Sequence, residues 1–218
     1  MRARADGVHP DFAQLLAMQP YTVTMDGLVI TVDEDVFPPD LGRCARNMAR
    51  ICAEYHPRHA LDMGCGSGYL ALALKQQGVP EVWAVDLHEP AISCTRKNVR
   101  QNPHVGPISV AVSDLFSAIP PSVRFDLIVF NQPFAPADAE ELCGCGPDGG
   151  YEITKRFLAE TPTRLSAGGC VVMAFSDRAP RENDPALVAR ELDYPVVTLL
   201  HAYYGEANNY VYEIRLGG

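Results

Sequence analysis

No run of 18 apolar residues occurs in the 218-residue chain, so no segment reads as a membrane-spanning helix. Basic charge is in deficit: 18 Lys and Arg stand against 27 Asp and Glu, a net charge of −9, whereas proteins that grip a phosphate backbone usually carry a basic face. Nucleic acid is therefore not expected as the partner. Arg43, Arg46, Arg50 and Arg58 lie near one another but read as a solvated helix face. A disulfide framework is missing as well. The seven cysteines are an odd number and scattered, which suits a reducing compartment. Cys143 and Cys145 form the one close pair and lack a second pair of ligands, so no metal is expected. Met1 to Gly7 is charged and no apolar stretch of signal-peptide length follows it; the expected location is cytoplasmic. Internal repeats and low-complexity tracts are absent too.

What stands out among the residues present is Ala60-Leu-Asp-Met-Gly-Cys-Gly-Ser-Gly-Tyr-Leu70, a short apolar run closed by Asp62 and followed by Gly64, Gly66 and Gly68. Glycine has no Cβ, so such a turn can take positive φ and let a ligand lie against peptide groups. Cys65 falls inside the same turn. A dinucleotide fingerprint would need its third glycine where Tyr69 stands, and a phosphate-cradling P-loop would need Lys-Ser or Lys-Thr, which does not follow.

From about residue 58 short apolar runs alternate with amphipathic stretches, the pattern of a parallel sheet with crossover helices. Strands are expected to end at Asp62 and to cover Glu81–Asp86, Pro107–Val112, Phe125–Phe130 and Gly169–Phe175, with helices over Tyr69–Gln77, Pro90–Gln101 and Tyr151–Leu165. Pro195–Tyr204 and Tyr210–Leu216 are β-rich and joined by only a few residues, too few for a crossover helix, so an antiparallel hairpin should end the sheet. The fold class is thus α/β: a mostly parallel seven-stranded sheet ending in an antiparallel hairpin, with helices on both faces. Before it come a short helix at Asp11–Met18, a hairpin around Asp26-Gly27 and a helix over Leu41–Tyr55 capped by Asp40. Residues 1–40 are expected to form a small cap or lid, and residues 41–218 the ligand-binding domain.

Open α/β sheets bind ligands at the carboxyl ends of their strands. Asp62, Asp86, Ser113-Asp114 and Asn131 fall at four such ends in succession. Asp86 could accept hydrogen bonds from a ribose diol and Asp114 one from an adenine amino group, with Leu87 and Leu115 giving apolar contact to the ring. This set resembles the class I, Rossmann-like S-adenosylmethionine-dependent methyltransferases, over about residue 40 to the C-terminus. The resemblance implies S-adenosylmethionine as co-substrate, no metal, and a role for Asp62 in orienting the methionine amino group. Asn131-Gln132-Pro133-Phe134 is similar to the Asn-Pro-Pro-Tyr signature of enzymes that methylate amide or amine nitrogens, including the release-factor glutamine and ribosomal-RNA guanine enzymes. There the Asn oxygen and the next carbonyl hold a planar NH₂ with its lone pair aimed at the methyl group. Here Gln132 replaces the first Pro, and Phe134 the Tyr.

The residues between Asn131 and Tyr151 are numerous for one loop and read as functional. Tyr151 and Ser176 are further candidates for the catalytic pocket, beside Asn131 and Phe134. Because the N-terminal piece is short and the charge acidic, the expected acceptor is a nitrogen of a small molecule or amino-acid derivative. Two alternatives share the cofactor: cyclisation of S-adenosylmethionine to azetidine-2-carboxylate and methylthioadenosine, and a non-catalytic binding module.

Overall fold

The computed structural model of the chain describes residues 14, 17–41, 43–132, 150–177, 179–205 and 207–215. In chain order the elements are β1 (Tyr21–Met25), β2 (Leu28–Val32), α1 (Cys44–Cys52), β3 (His59–Met63), α2 (Tyr69–Gln76), β4 (Glu81–Asp86), α3 (Glu89–Gln101), β5 (Ser109–Val112), β6 (Phe125–Phe130), α4 (Tyr151–Glu160), β7 (Leu165–Ser176), α5 (Pro185–Glu191), β8 (Val196–Tyr203) and β9 (Asn208–Ile214). Seven of the strands form one sheet in the order β5-β4-β3-β6-β7-β9-β8. Neighbours are parallel from β5 to β7, and β9 runs antiparallel to both β7 and β8. The α/β sheet with its terminal hairpin is therefore as expected.

Side chains alternate between the two faces of a strand, so the apolar run of β6 feeds two cores. Leu127 and Val129 join Val172 and Ala174 beneath α1 and α2, while Ile128 and Phe130 join Val171 and Met173 against Phe157 and Leu158 of α4 and Val188 of α5. The strand order reverses between β3 and β6, and the crevice at such a reversal is where this architecture receives ligands. Both the glycine turn after β3 and Asn131 after β6 open onto it.

The first hairpin is built from a two-residue turn in which Asp26 (φ 47°) and Gly27 (φ 84°) both take positive φ, the type I′ geometry that matches strand twist. Met25 pairs with Leu28, so in the alternating antiparallel pattern Val29 and Thr31 turn their backbone groups away from β1. Asn98 of α3 and Asn102, which caps its C-terminus, meet them. Asn102 accepts from Val29 N (3.0 Å) and donates to Val29 O (2.8 Å); Asn98 accepts from Thr31 N (2.9 Å) and donates to Thr31 O (2.7 Å). Four helical residues rise ~6 Å and two strand residues ~6.6 Å, which is why asparagines one turn apart match alternate strand residues.

Some boundaries differ from expectation. The helix expected from Leu41 begins at Cys44, with Arg43 before it and no side-chain cap. Asp40 instead accepts a hydrogen bond from the Tyr21 hydroxyl of β1, so it is not free to cap. The helix expected to reach Leu165 ends at Glu160: the Thr161 amide still donates to Phe157 O, but Pro162 after it has no amide hydrogen, and a 3₁₀ turn (Thr161–Thr163) leads into β7. Helix α5 was not anticipated. It is only seven residues long, with Pro185 in its first turn and the Asp184 carboxylate accepting from Ala186 N at 2.9 Å. The helix expected at Asp11–Met18 falls largely outside the described residues.

Candidate functional site

The three glycines all have positive φ (64°, 54° and 79° for Gly64, Gly66 and Gly68), but their surroundings differ. A Cβ on Gly64 would stand 3.0 Å from the Phe130 ring, and one on Gly68 would stand 2.8 Å from Thr95. A Cβ on Gly66 would meet nothing within 4 Å. The outer glycines are thus demanded by packing, whereas Gly66 faces open space of the kind a ligand lying on the turn would need. The turn is held from both sides. Cys65 N donates to Val85 O (3.0 Å), Gly66 N to Asp86 Oδ2 (2.9 Å), Thr95 Oγ1 to Gly66 O (2.9 Å) and Asn98 Nδ2 to Ser67 O (2.8 Å). Cys65 itself is buried, its Sγ 3.4 Å from Thr95 Oγ1.

Asp62 is 1% exposed, and its Oδ2 accepts from Ala71 N at 2.9 Å. Burial pushes its carboxyl up to about 8; the Ala71 amide pulls the other way and the nearby Asp86 charge adds to the rise. Asp86 uses one oxygen on Gly66 N and the other on His88 N (2.9 Å), and each oxygen keeps a further lone pair. Leu87 beside it is largely exposed. Asp114 is ion-paired with Arg156 of α4, whose Nη2 is 3.0 and 3.2 Å from its two oxygens. Ser113 is a turn residue: its hydroxyl donates to Leu115 O (2.7 Å) and accepts from Ala118 N (3.0 Å), fixing Leu115 at φ 47° with its side chain in the core.

At the end of β6, Asn131 Oδ1 is buried and, among the described residues, has no hydrogen-bond partner. A buried unpaired acceptor costs about 1–3 kcal/mol, so this oxygen is a ready acceptor for any N–H or O–H that reaches the end of β6. Gln132 beside it is 2% exposed and fully engaged: Nε2 donates to Asn183 O (3.0 Å) and Oε1 accepts from Thr154 Oγ1 (2.6 Å). By strand parity Asn131 continues the face of Val129, the face that Ser176 takes at the end of β7. Ser176 is buried there. Tyr151 directs its hydroxyl to Glu191 Oε2 at 3.0 Å on the surface. A cavity of about 400 Å³ beyond β7 is lined by Phe175, Asp177, Arg181, Tyr210 and Tyr212 among others. Phe134, Cys143 and Cys145 lie outside the described residues. Among the described residues, no helix is long and apolar enough to cross a membrane, and no three His, Cys, Asp or Glu side chains are grouped to hold a metal ion.

The methyltransferase small domain family matches residues 43–187, a stretch holding the glycine turn, the strand-end acids and Asn131. This chain belongs to that family. The methyltransferase is 27% identical over 158 residues to a Methanocaldococcus jannaschii protein provisionally assigned as a protein N5-glutamine methyltransferase, covering 68% of this chain and 76% of that one. It is 36% identical over 110 residues to the ribosomal RNA small subunit methyltransferase C of Actinobacillus pleuropneumoniae, covering 50% of this chain but only 30% of the relative. In fold it is similar to the T. thermophilus 16S rRNA N2 guanine methyltransferase solved with S-adenosylmethionine and guanosine (TM-score 0.68, 20% identity, 89% of this chain and 49% of that one). Membership makes the chain an S-adenosylmethionine-dependent methyltransferase, and the glycine turn, open above Gly66, fits that co-substrate.

The comparisons overturn the expected partner. Its relatives are named for ribosomal RNA, ribosomal protein L11 or protein glutamine, and one structural neighbour is a complex with tRNA. A small-molecule acceptor, and the exclusion of nucleic acid, were read from net charge and a short N-terminal segment. Net charge is a sum over the whole surface, and a local acceptor site need not share its sign. Sequence reading also missed Thr95, Asn98, Thr154 and the role of Gln132. The available signals were two asparagines four apart in a helix and a polar side chain directly following a doubly buried strand.

Proposed function

We propose that this methyltransferase transfers the methyl group of S-adenosylmethionine to a side-chain amide nitrogen of a protein, with glutamine as the acceptor residue. The observation that carries the reading is the unpartnered, buried Oδ1 of Asn131 at the end of β6, one strand from the glycine turn. In support, the chain spans three-quarters of the archaeal relative assigned to protein glutamine and under a third of the ribosomal-RNA one.

When bound, the co-substrate supplies an electrophilic methyl group on a sulfonium. Asp62, Gly66 and Asp86 would hold it, Asp62 facing its amino group and Asp86 its ribose. Asn131 Oδ1 and the Gln132 carbonyl would then accept both hydrogens of the acceptor NH₂. That fixes the amide plane and aims the nitrogen along the line of transfer, so the residues act through orientation rather than by taking a proton in the rate-limiting step. The proton lost from nitrogen afterwards passes to solvent.

The test uses tritium-labelled S-adenosylmethionine with a cell extract divided into protein and RNA fractions, followed by mass mapping of the labelled species. Label on a glutamine side chain is expected. Label confined to RNA overturns the amide acceptor, and methylthioadenosine released without any extract overturns methyl transfer itself.

A further inference from the structure

Asn131 is flanked by two residues that cannot move easily. On one side Phe130 is 3% exposed, sits edge-on to Phe157 with ring centroids 4.8 Å apart, and abuts Gly64 of the turn. On the other side stands Gln132, where the related signature has a proline whose ring restricts the backbone. Glutamine provides no such restriction through its own covalent structure. Its side-chain amide supplies one by hydrogen bonding instead.

That amide bridges two elements. Oε1 meets the hydroxyl of Thr154, a fully buried residue in the first turn and a half of α4, and Nε2 meets the Asn183 carbonyl in the 3₁₀ turn (Arg181–Asn183) leading into α5. Thr154 Oγ1 is also 2.9 Å from the Gly150 carbonyl, so its one proton is held between two acceptors, the Gln132 contact being the shorter. Both polar ends of Gln132 are used in the bridge, and the residue is 2% exposed. Its backbone carbonyl is the second acceptor in the reading above.

We propose that Gln132 is a positioning residue: the Thr154–Gln132–Asn183 bridge does by hydrogen bonding what the proline ring does in the related signature, fixing Asn131 Oδ1 and the Gln132 carbonyl in the geometry that receives the acceptor NH₂. This rests on the amide-nitrogen reading for the identity of the acceptor, but not for the existence of the bridge.

The test separates the two. In nitrogen-15 labelled protein the side-chain amide of Asn131 is assigned by its loss in Asn131→Ala. The bridge requires one sharp pair of lines in the wild type and in Thr154→Ser, and broadened or multiple lines in Thr154→Val and Gln132→Met. S-adenosylmethionine affinity, measured by calorimetry, should stay within about twofold in all of these, while kcat on the glutamine peptide that the labelling experiment maps falls at least about tenfold in Thr154→Val and Gln132→Met, as misplacement at a reacting centre does. Thr154→Ser should retain activity. In the Gln132→Pro background Thr154→Val should cost almost nothing, because the partner whose loss it reports is gone. Unchanged Asn131 lines and unchanged kcat in Thr154→Val overturn the proposal, as does a loss of co-substrate affinity parallel to kcat. If Thr154→Val does not fold, Gln132→Pro alone decides: sharp Asn131 lines support it, broad lines overturn it. A wild type inactive on every glutamine peptide sinks the acceptor reading, yet the Asn131 lines still decide the bridge.

Discussion

Replacing Asp62 by Asn isolates the effect of a carboxyl group held in the protein interior. The side chain is 1% exposed and its pKa is pushed from 3.8 to about 8, chiefly by burial. Because the folded-state value is raised, the native protein holds a proton that the unfolded chain has already released. This stabilisation is complete below pH 3.8 and is lost as pH rises through about 8. At ~1.4 kcal/mol per unit, a shift of roughly four units sets a ceiling of ~6 kcal/mol, of which ~4 kcal/mol is lost between pH 5 and pH 9. Asp62→Asn cannot ionise and carries none of that slope, although its amide can still accept from Ala71 N. Urea denaturation of both proteins at pH 5, 7 and 9 gives the comparison: the wild type should weaken by up to ~4 kcal/mol more than the variant across that range. Groups common to both proteins cancel in this double difference. If the carboxylate faces the co-substrate amino group, the ionised fraction of Asp62 rises from about 1% at pH 6 to half at pH 8 while the amino group loses about half its charge, so wild-type affinity should climb up to roughly twentyfold. Parallel stability curves for the two proteins would refute the buried-acid reasoning, and a flat affinity profile would refute the facing of the amino group.

The glycines give a contrast within one turn. Gly66→Ala should cost only about 1 kcal/mol of stability, the penalty of a left-handed alanine, while reducing S-adenosylmethionine affinity at least about tenfold by filling the open space above the turn. Gly68→Ala, whose Cβ would stand 2.8 Å from Thr95, should destabilise more than Gly66→Ala in the same melts; equal losses would mean that the Thr95 contact yields freely. Asn98→Ala strips hydrogen bonds from Thr31 N, Thr31 O and Ser67 O at once and should cost ~3 kcal/mol or more in denaturant titration, with a loss under ~1 kcal/mol counting against the bridge to the turn. Arg156→Ala releases the half-exposed Asp114 and should change stability by less than ~1 kcal/mol. Calorimetry should then show S-adenosylmethionine bound equally or more tightly; weaker binding would assign Arg156 itself to the ligand.

The parts of the fold legible in the sequence are those written in local pattern. Phe125–Phe130 reads as a doubly buried strand because every residue but Asp126 is apolar, and the terminal hairpin follows from a link too short for a helix. Asp62, Asp86 and Asn131 could be placed because strand ends in such a sheet converge on one crevice. Less legible was anything depending on a partner far along the chain. Asp40 was assigned to a cap because nothing local reveals Tyr21, and the hydrogen bonds of the Gln132 side chain could not be foreseen because Thr154 and Asn183 are distant in sequence. The Arg156 partner of Asp114 was hidden for the same reason, lying 42 residues away. The acceptor was least legible of all, since bulk charge says little about what one crevice admits.

The asparagine pair at the C-terminal end of α3 reads peptide groups, not side chains. Asn98 and Asn102 grip alternate residues of β2 through atoms that every amino acid other than proline possesses. The segment should consequently be permissive in identity and strict in length. Substituting the exposed Val29 leaves both rungs in place, whereas inserting or deleting one residue between Val29 and Thr31 puts them out of step with a helix whose spacing cannot follow. Indels there, unlike most surface changes, should propagate through Asn98 to Ser67 and loosen the glycine turn itself.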